Sequence, residues 1–343
     1  MKHRFTALAA GLSTGLALLS AGPGVAQEAA IYSSMDRHHP VWAREGMVAA
    51  QEALAANVGL EILKKGGNAV DAGAAVAFAL AVTLPRAGNL GGGGFMMIHD
   101  AKTGETKALD YREMAPLGAS RDMYLDAQGE ADSDLSRYHG LAVGVPGTVA
   151  GMEMALAQHG TMSLADVLQP AIELAERGYA VPVVVRQKWA AATPELQSQP
   201  GFAEHFLPWG RAPQVGELFK FPAAARGLRA IAESKGEAFY RGPIAQALAR
   251  FAAQHGGALT EADLAAFRPE WVAPIGQDYR GHTLHEIPPN GQGIAALIAL
   301  GILSNFDVAA LKVDSVAAQH LQIEAMKLAF ADVYRYVADP RYM

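Results

Sequence analysis

The segment from Ala69 to Thr83 constrains this chain most, because it is apolar on nearly every side and built mainly from small side chains. Asn68 is placed to cap it as a helix and Pro85 to end it. A helix with no polar face must be enclosed by protein. It is also too short to cross a bilayer, which takes about 20 residues.

The rest of the composition agrees with a packed globule. The chain has 343 residues, half of them apolar by count (51%), enough for one large or two ordinary domains. A formal charge of −6 on such a body is mild, and no basic stripe is present, so nucleic acid is excluded as an expected partner. There is no cysteine, which removes disulfides, thiolate metal sites and cysteine-nucleophile chemistry.

The first 26 residues read as a signal peptide. Lys2, His3 and Arg4 precede an apolar stretch from Phe5 to Ser20, and Gly24-Val25-Ala26 offers small residues for cleavage before Gln27. An N-terminal membrane anchor is the competing reading, but the apolar run is short and breaks at Gly22-Pro23-Gly24. The expected destination is the periplasm or the medium, with no membrane contact after cleavage, and the mature domain is 27–343.

Further along, helical spacing covers Ala49–Lys65, Val149–Gln158, Ser163–Glu176, Phe221–Lys235, Pro243–His255, Ile294–Asn305 and Ser315–Tyr336. Ser163 and Thr260 look like N-caps, and Asp314 is a candidate cap for the last helix. Phe95–His99 and Thr106–Tyr111 read as strands joined at Lys102-Thr103-Gly104, and His282–Ile287 as another. No internal repeat or heptad pattern is present.

Several motifs invite chemistry. Gly11-Leu12-Ser13-Thr14-Gly15 matches a nucleophile elbow but lies inside the leader, so it is read as chance. The run Gly88-Asn89-Leu90-Gly91-Gly92-Gly93-Gly94 lacks phosphate-cradle spacing and precedes a strand; it is read as backbone packed closely against a sheet or a site. His38-His39 and His320/Glu324 lack the ligand set of a metal site, so no metal and no cofactor are expected. Arg112, just past a strand, can present a planar fork to a carboxylate. From position alone, an ion pair with Asp110 or Glu113 is the favoured reading.

Three blocks change that preference: Gly66-Gly67-Asn68-Ala69-Val70-Asp71-Ala72, Ala87-Gly88-Asn89-Leu90-Gly91-Gly92-Gly93-Gly94-Phe95 and Asp110-Tyr111-Arg112-Glu113-Met114-Ala115-Pro116. Together with Pro146–Gly151, Phe239–Gly242, Leu259–Leu264 and Asp339-Pro340, they resemble γ-glutamyltranspeptidase, over about Gly46 to Met343. The resemblance implies an α+β N-terminal-nucleophile hydrolase fold, a four-layer αββα sandwich of which this chain would be the large-subunit part. It also implies a precursor that cuts itself into large and small subunits. The small subunit's new N-terminal threonine would attack the γ-glutamyl amide of glutathione and related compounds, with water or an acceptor amino acid or peptide completing the turnover. Arg112 falls on the motif arginine that pairs with the substrate α-carboxylate. No catalytic residue is expected within this chain; the nucleophile and the processing site are expected beyond Met343, so the chain alone should be inactive.

Pro288-Pro289-Asn290-Gly291-Gln292-Gly293 departs from the Ser-Ser-Gly-Gly type of sequence in well-known bacterial members. A cephalosporin- or glutaryl-type acylase on the same fold is therefore the alternative enzyme. A third reading is a non-catalytic binding or structural protein derived from the fold. It would be separated from the first two by whether the frame continues to a threonine followed by a strand-like segment.

Overall fold

A computed structural model describes residues 41–343. The leader, the Gly11–Gly15 motif and His38-His39 lie outside the described residues. The described chain is α+β. Helices α1 (Ala53–Lys64) and α2 (Ala69–Thr83) lead into strands β1 (Phe95–Asp100) and β2 (Glu105–Asp110). Helices α3 (Thr148–His159) and α4 (Leu164–Arg177) follow a long irregular stretch. Next come β3 (Tyr179–Ala180), α5 (Val183–Leu196), α6 (Phe202–Phe206), β4 (Leu218–Phe219) and α7 (Pro222–Glu233). Short α8 (Glu237–Arg241), α9 (Pro243–Gln254) and α10 (Glu261–Ala266) precede β5 (Glu270–Val272), β6 (Ile275–Tyr279) and β7 (His282–Glu286). The described chain closes with α11 (Ile294–Leu303) and α12 (Val316–Tyr336).

The enclosed helix is α2. Val70, Ala74, Ala75, Phe78, Ala79 and Val82 are buried along it, and it packs against α1, α3 and α4. Burying a side chain such as Phe78 contributes about 1.5–3 kcal/mol. Small residues let the neighbouring helices approach, and at Gly59 a Cβ would meet Val76 at 2.7 Å. The antiparallel sheet has the order β1-β2-β5, with Phe95 opposite Asp110 and Leu109 opposite Trp271. A separate β6–β7 hairpin carries α11 against it. Of the sandwich expected from the sequence, the described residues supply these pieces and their helical cover. No described helix is long and apolar enough to cross a membrane.

Buried hydrogen bonds fix the start of α2. Asn68 Oδ1 accepts from the Val70 and Asp71 N–H groups, and its Nδ2 donates to the His159 carbonyl at 2.6 Å. Asp71 is fully buried. Its carboxylate accepts from Asn68 N (2.7 Å), Thr161 N (3.0 Å), Thr161 Oγ1 (2.6 Å) and Met162 N (3.1 Å). One acidic side chain thereby joins the cap of α2 to the turn between α3 and α4.

The sequence reading needs two corrections. Ser315, not Asp314, caps α12: its hydroxyl accepts from Ala318 N at 3.3 Å, while Asp314 sits at φ 58°. Helices α5, α6 and α8 and strands β3 to β6 were not foreseen. On α12, Val333 packs inward with Ala325 and Ala329 against α11, while Val316, Ile323, Met326 and Leu328 are among its exposed side chains.

Asp71→Ala would leave buried donors unpaired and should lower unfolding free energy by about 3 kcal/mol in denaturant titrations. Burial pushes the Asp71 carboxyl up, but the hydrogen bonds from Thr161, Asn68 and Met162 outweigh it and hold it below its ordinary value. Its folded pKa being depressed, its contribution is present above the unfolded carboxyl pKa of about 3.9 and is lost as pH falls through the folded value. The stability difference between wild type and Asp71→Ala should therefore shrink on acidification; a constant difference down to the acid transition would refute this role.

Candidate active site

Strand β2 ends at Asp110, but its pairing continues for one more residue. Gly94 N donates to the Tyr111 carbonyl at 3.3 Å and Tyr111 N donates to the Gly94 carbonyl at 3.0 Å. Arg112 follows at once, on the edge of a cavity of about 490 Å³ lined by Gly91, residues 112–116, Ala119, Tyr124 and residues 141–144. Two chain segments form its walls and are bridged at Met114 and Val145, whose main chains exchange hydrogen bonds at 3.3 and 2.8 Å.

The glycine run acts through its backbone. The Gly92 carbonyl accepts from both Gly147 N (2.8 Å) and Thr148 N (2.9 Å), which anchors the start of α3 to the run. A Cβ on Gly93 would lie 2.4 Å from the Tyr111 carbonyl oxygen, and one on Gly88 would lie 2.5 Å from the Leu80 carbonyl group. The expected close approach of backbone to sheet is thus present, with a helix end as a third participant.

Tyr111 is clasped from the other side by α3. A Cβ on Gly147 would fall on its carbonyl oxygen, and one on Gly151 would sit 2.2 Å from its ring. Its hydroxyl donates to the Phe95 carbonyl at 3.3 Å. Burial, helped by the negative charge of Glu113, pushes the Tyr111 hydroxyl up to about 12, so the ring stays neutral. Tyr240 secures the same helix end: its hydroxyl donates to the Pro146 carbonyl at 2.9 Å and accepts from Ala150 N at 3.1 Å.

Arg112 itself is exposed. Its guanidinium makes no ion pair with Asp110 or Glu113, or with any other described residue. The Asp110 carboxylate instead accepts from the Arg112 main-chain N–H at 2.9 Å. The guanidinium carbon lies 5.9 Å from the centroid of the Phe95 ring. The same ring approaches Gly291, where a Cβ would be 3.4 Å from its Cζ. The Pro288–Gly293 turn, distant in sequence, therefore borders the arginine through Phe95.

Two positioning groups escape a reading by sequence. Asp263 reads as a helix-capping residue, and it does close a capping box with Thr260. Its other oxygen also accepts from Leu117 N at 2.7 Å, tying the cavity wall to α10 across the fold. Tyr124 lines the cavity and donates to the Leu141 carbonyl at 3.2 Å. Only the acidic residue in the Leu259–Leu264 block hinted at the first of these. His320/Glu324 gathers no site: Glu324 is engaged by Lys327 at 2.8 Å, and no described group of three or more His, Asp and Glu could hold a metal ion.

Gly151→Ala drives a methyl group into the Tyr111 ring and should lower stability by about 1–3 kcal/mol, read as a fall in Tm. Gly73→Ala, on an exposed part of α2 with nothing within 4 Å of the added carbon, should be neutral or stabilising. Equal Tm changes in the two variants would contradict the clasp.

A family model described as Gamma-glutamyltranspeptidase matches residues 55–343. The chain is 44% identical over 310 residues to the glutathione hydrolase proenzyme of Escherichia coli (strain K12), covering 90% of this chain and 53% of that protein. It superposes on the gamma-glutamyltranspeptidase of Helicobacter pylori with a TM-score of 0.86 and 37% identity, over 89% of this chain and 88% of that one. The cephalosporin acylase of Bacillus halodurans gives a TM-score of 0.82 and 40% identity, over 91% of this chain and 58% of that one. The chain spans about half the length of the curated relatives it matches. The expected N-terminal-nucleophile hydrolase fold holds for the part this chain forms. These likenesses run through the residues that build the cavity, and the chain belongs to the γ-glutamyltranspeptidase family.

Proposed function

We propose that this chain is the large-subunit part of an exported enzyme that transfers and hydrolyses the γ-glutamyl groups of glutathione and other γ-glutamyl amides. The observation that carries the reading is Arg112: a guanidinium with no described carboxylate partner, held by a buried strand end at the rim of the 490 Å³ cavity. A planar fork in that position fits the α-carboxylate of a glutamyl group. Fixing that carboxylate orients the γ-carbonyl, and orientation is where such a contact acts most on rate.

The nucleophile in this reading is an N-terminal threonine on a partner subunit cut from the same precursor. Its own α-amine takes the hydroxyl proton as the oxygen attacks the γ-carbonyl, and the departing amine leaves a γ-glutamyl ester. Water or an acceptor amino acid or peptide then receives the glutamyl group. The leader read in the first 26 residues supports work in the periplasm or outside the cell.

In the full-length protein, Arg112→Ala should lower kcat/KM for γ-glutamyl-p-nitroanilide by about 10- to 150-fold, the loss of about 1.5–3 kcal/mol of charge-assisted bonding. Arg112→Lys should recover little of this, because a point charge does not replace the fork. Self-cleavage should proceed normally in both. Unchanged kinetics would remove Arg112 from the site.

An acylase on the same fold is the second reading, favoured by the Pro288–Gly293 turn that borders Arg112 through Phe95. A γ-glutamyl and a glutaryl amide assayed side by side separate the two. The first reading expects clear preference for the γ-glutamyl amide, and loss of that preference in Arg112→Ala; faster turnover of the glutaryl amide would establish the acylase.

A further inference from the structure

We propose that a second cavity, between the end of α2 and the α5–α6 pair, binds a short amphipathic carboxylate: a single apolar chain or ring ending in one negative charge. The cavity holds about 280 Å³. That is at or below the range of about 300–1,000 Å³ typical of drug-sized ligands, so the occupant is small.

Its wall on α5 consists of Val185, Trp189, Ala192 and Leu196, one helical stripe. Phe202 and Phe206 of α6 face it. The pocket is pre-formed rather than loosely collapsed. Trp189 Nε1 donates to the Phe206 carbonyl at 3.1 Å, and the indole meets the Phe219 ring edge-on at 4.8 Å. The indole's only donor is therefore spent, and the interior offers a ligand apolar contact alone.

The charge at the cavity is one-sided. Arg86 and Lys188 both line it and both are exposed, and no carboxylate lines it. Neither cation makes an ion pair or side-chain hydrogen bond with a described residue. The acids on these two helices do not line it: Glu195 lies beside the Tyr138 hydroxyl and Glu204 beside the His205 ring. Two free cations at an apolar cavity complement a ligand with an apolar body and an anionic head. An alcohol would leave the cations without a partner, and an alkylammonium would be repelled. Arg112 lines the other cavity and not this one, so the inference does not rest on the enzymatic reading.

The experiment is calorimetric titration of the full-length protein with octanoate, octanol and octyltrimethylammonium. Octanoate should bind saturably at one site, octanol about tenfold more weakly, and the ammonium not at all. The double variant Arg86→Glu/Lys188→Glu, altered only at exposed positions, should lose about tenfold in octanoate affinity and keep its octanol affinity. Ala192→Phe fills the cavity and should abolish both. Absence of saturable octanoate binding, equal affinities for octanoate and octanol, or unchanged octanoate affinity in the double variant would each overturn the proposal; should Ala192→Phe fail to fold, the charge variant alone decides it.

Discussion

The main chain of Tyr111 is gripped between two glycine surfaces, and much of the molecule is arranged around that grip. Gly93 approaches the main chain from the glycine run and Gly147 from the start of α3, while Gly151, one turn further on, meets the ring. No side chain fits between these backbones, so the contact is set by main-chain geometry and repulsion rather than by attraction between large groups. The Gly92 carbonyl, shared by two N–H groups of the α3 start, keeps the helix from sliding along the strand end. Burial of the ring completes the grip and removes any reason for the phenol to ionise at ordinary pH. The side chain that leaves this assembly next is Arg112, which is why an exposed arginine at the end of a strand has a defined base.

The second organising element is the carboxylate of Asp71. It belongs to a helix that is otherwise almost wholly apolar, yet it is as buried as the alanines around it. Isolated, such a charge would be forced to take up a proton. Here it collects main-chain donors from two parts of the sequence some ninety residues apart. The helical layer and the α3–α4 turn are thereby registered to each other.

Much of this was legible in the sequence, and for identifiable reasons. The limits of α2 could be read to the residue, because Asn68 and Pro85 are strong punctuation at both ends. The β1–β2 hairpin followed from its turn and its pattern. Arg112 could be placed at a strand end, but only the resemblance of its neighbours suggested a ligand for it. Helix α5 was hidden by Val183-Val184-Val185 and by Pro194 inside it, which local preferences assign to strand or turn and tertiary packing overrides. Strand β5 is short and owes its existence to pairing with β2, a partner far away in sequence. The contact from Asp263 to Leu117 was invisible for the same reason, since a capping residue announces its local bond and not its distant one.

The cavity beside Arg112 takes part of its outline from Gly91 and Gly144, and its two walls are joined main chain to main chain at Met114 and Val145. A boundary made in this way carries little chemical identity of its own. Side chains such as Met114 and Val143 could be exchanged without moving the frame that presents the arginine, much as tools are changed in one holder. Diversification of such a site can then proceed by retouching the lining and the Pro288–Gly293 turn, while the grip on Tyr111 holds the frame where it is.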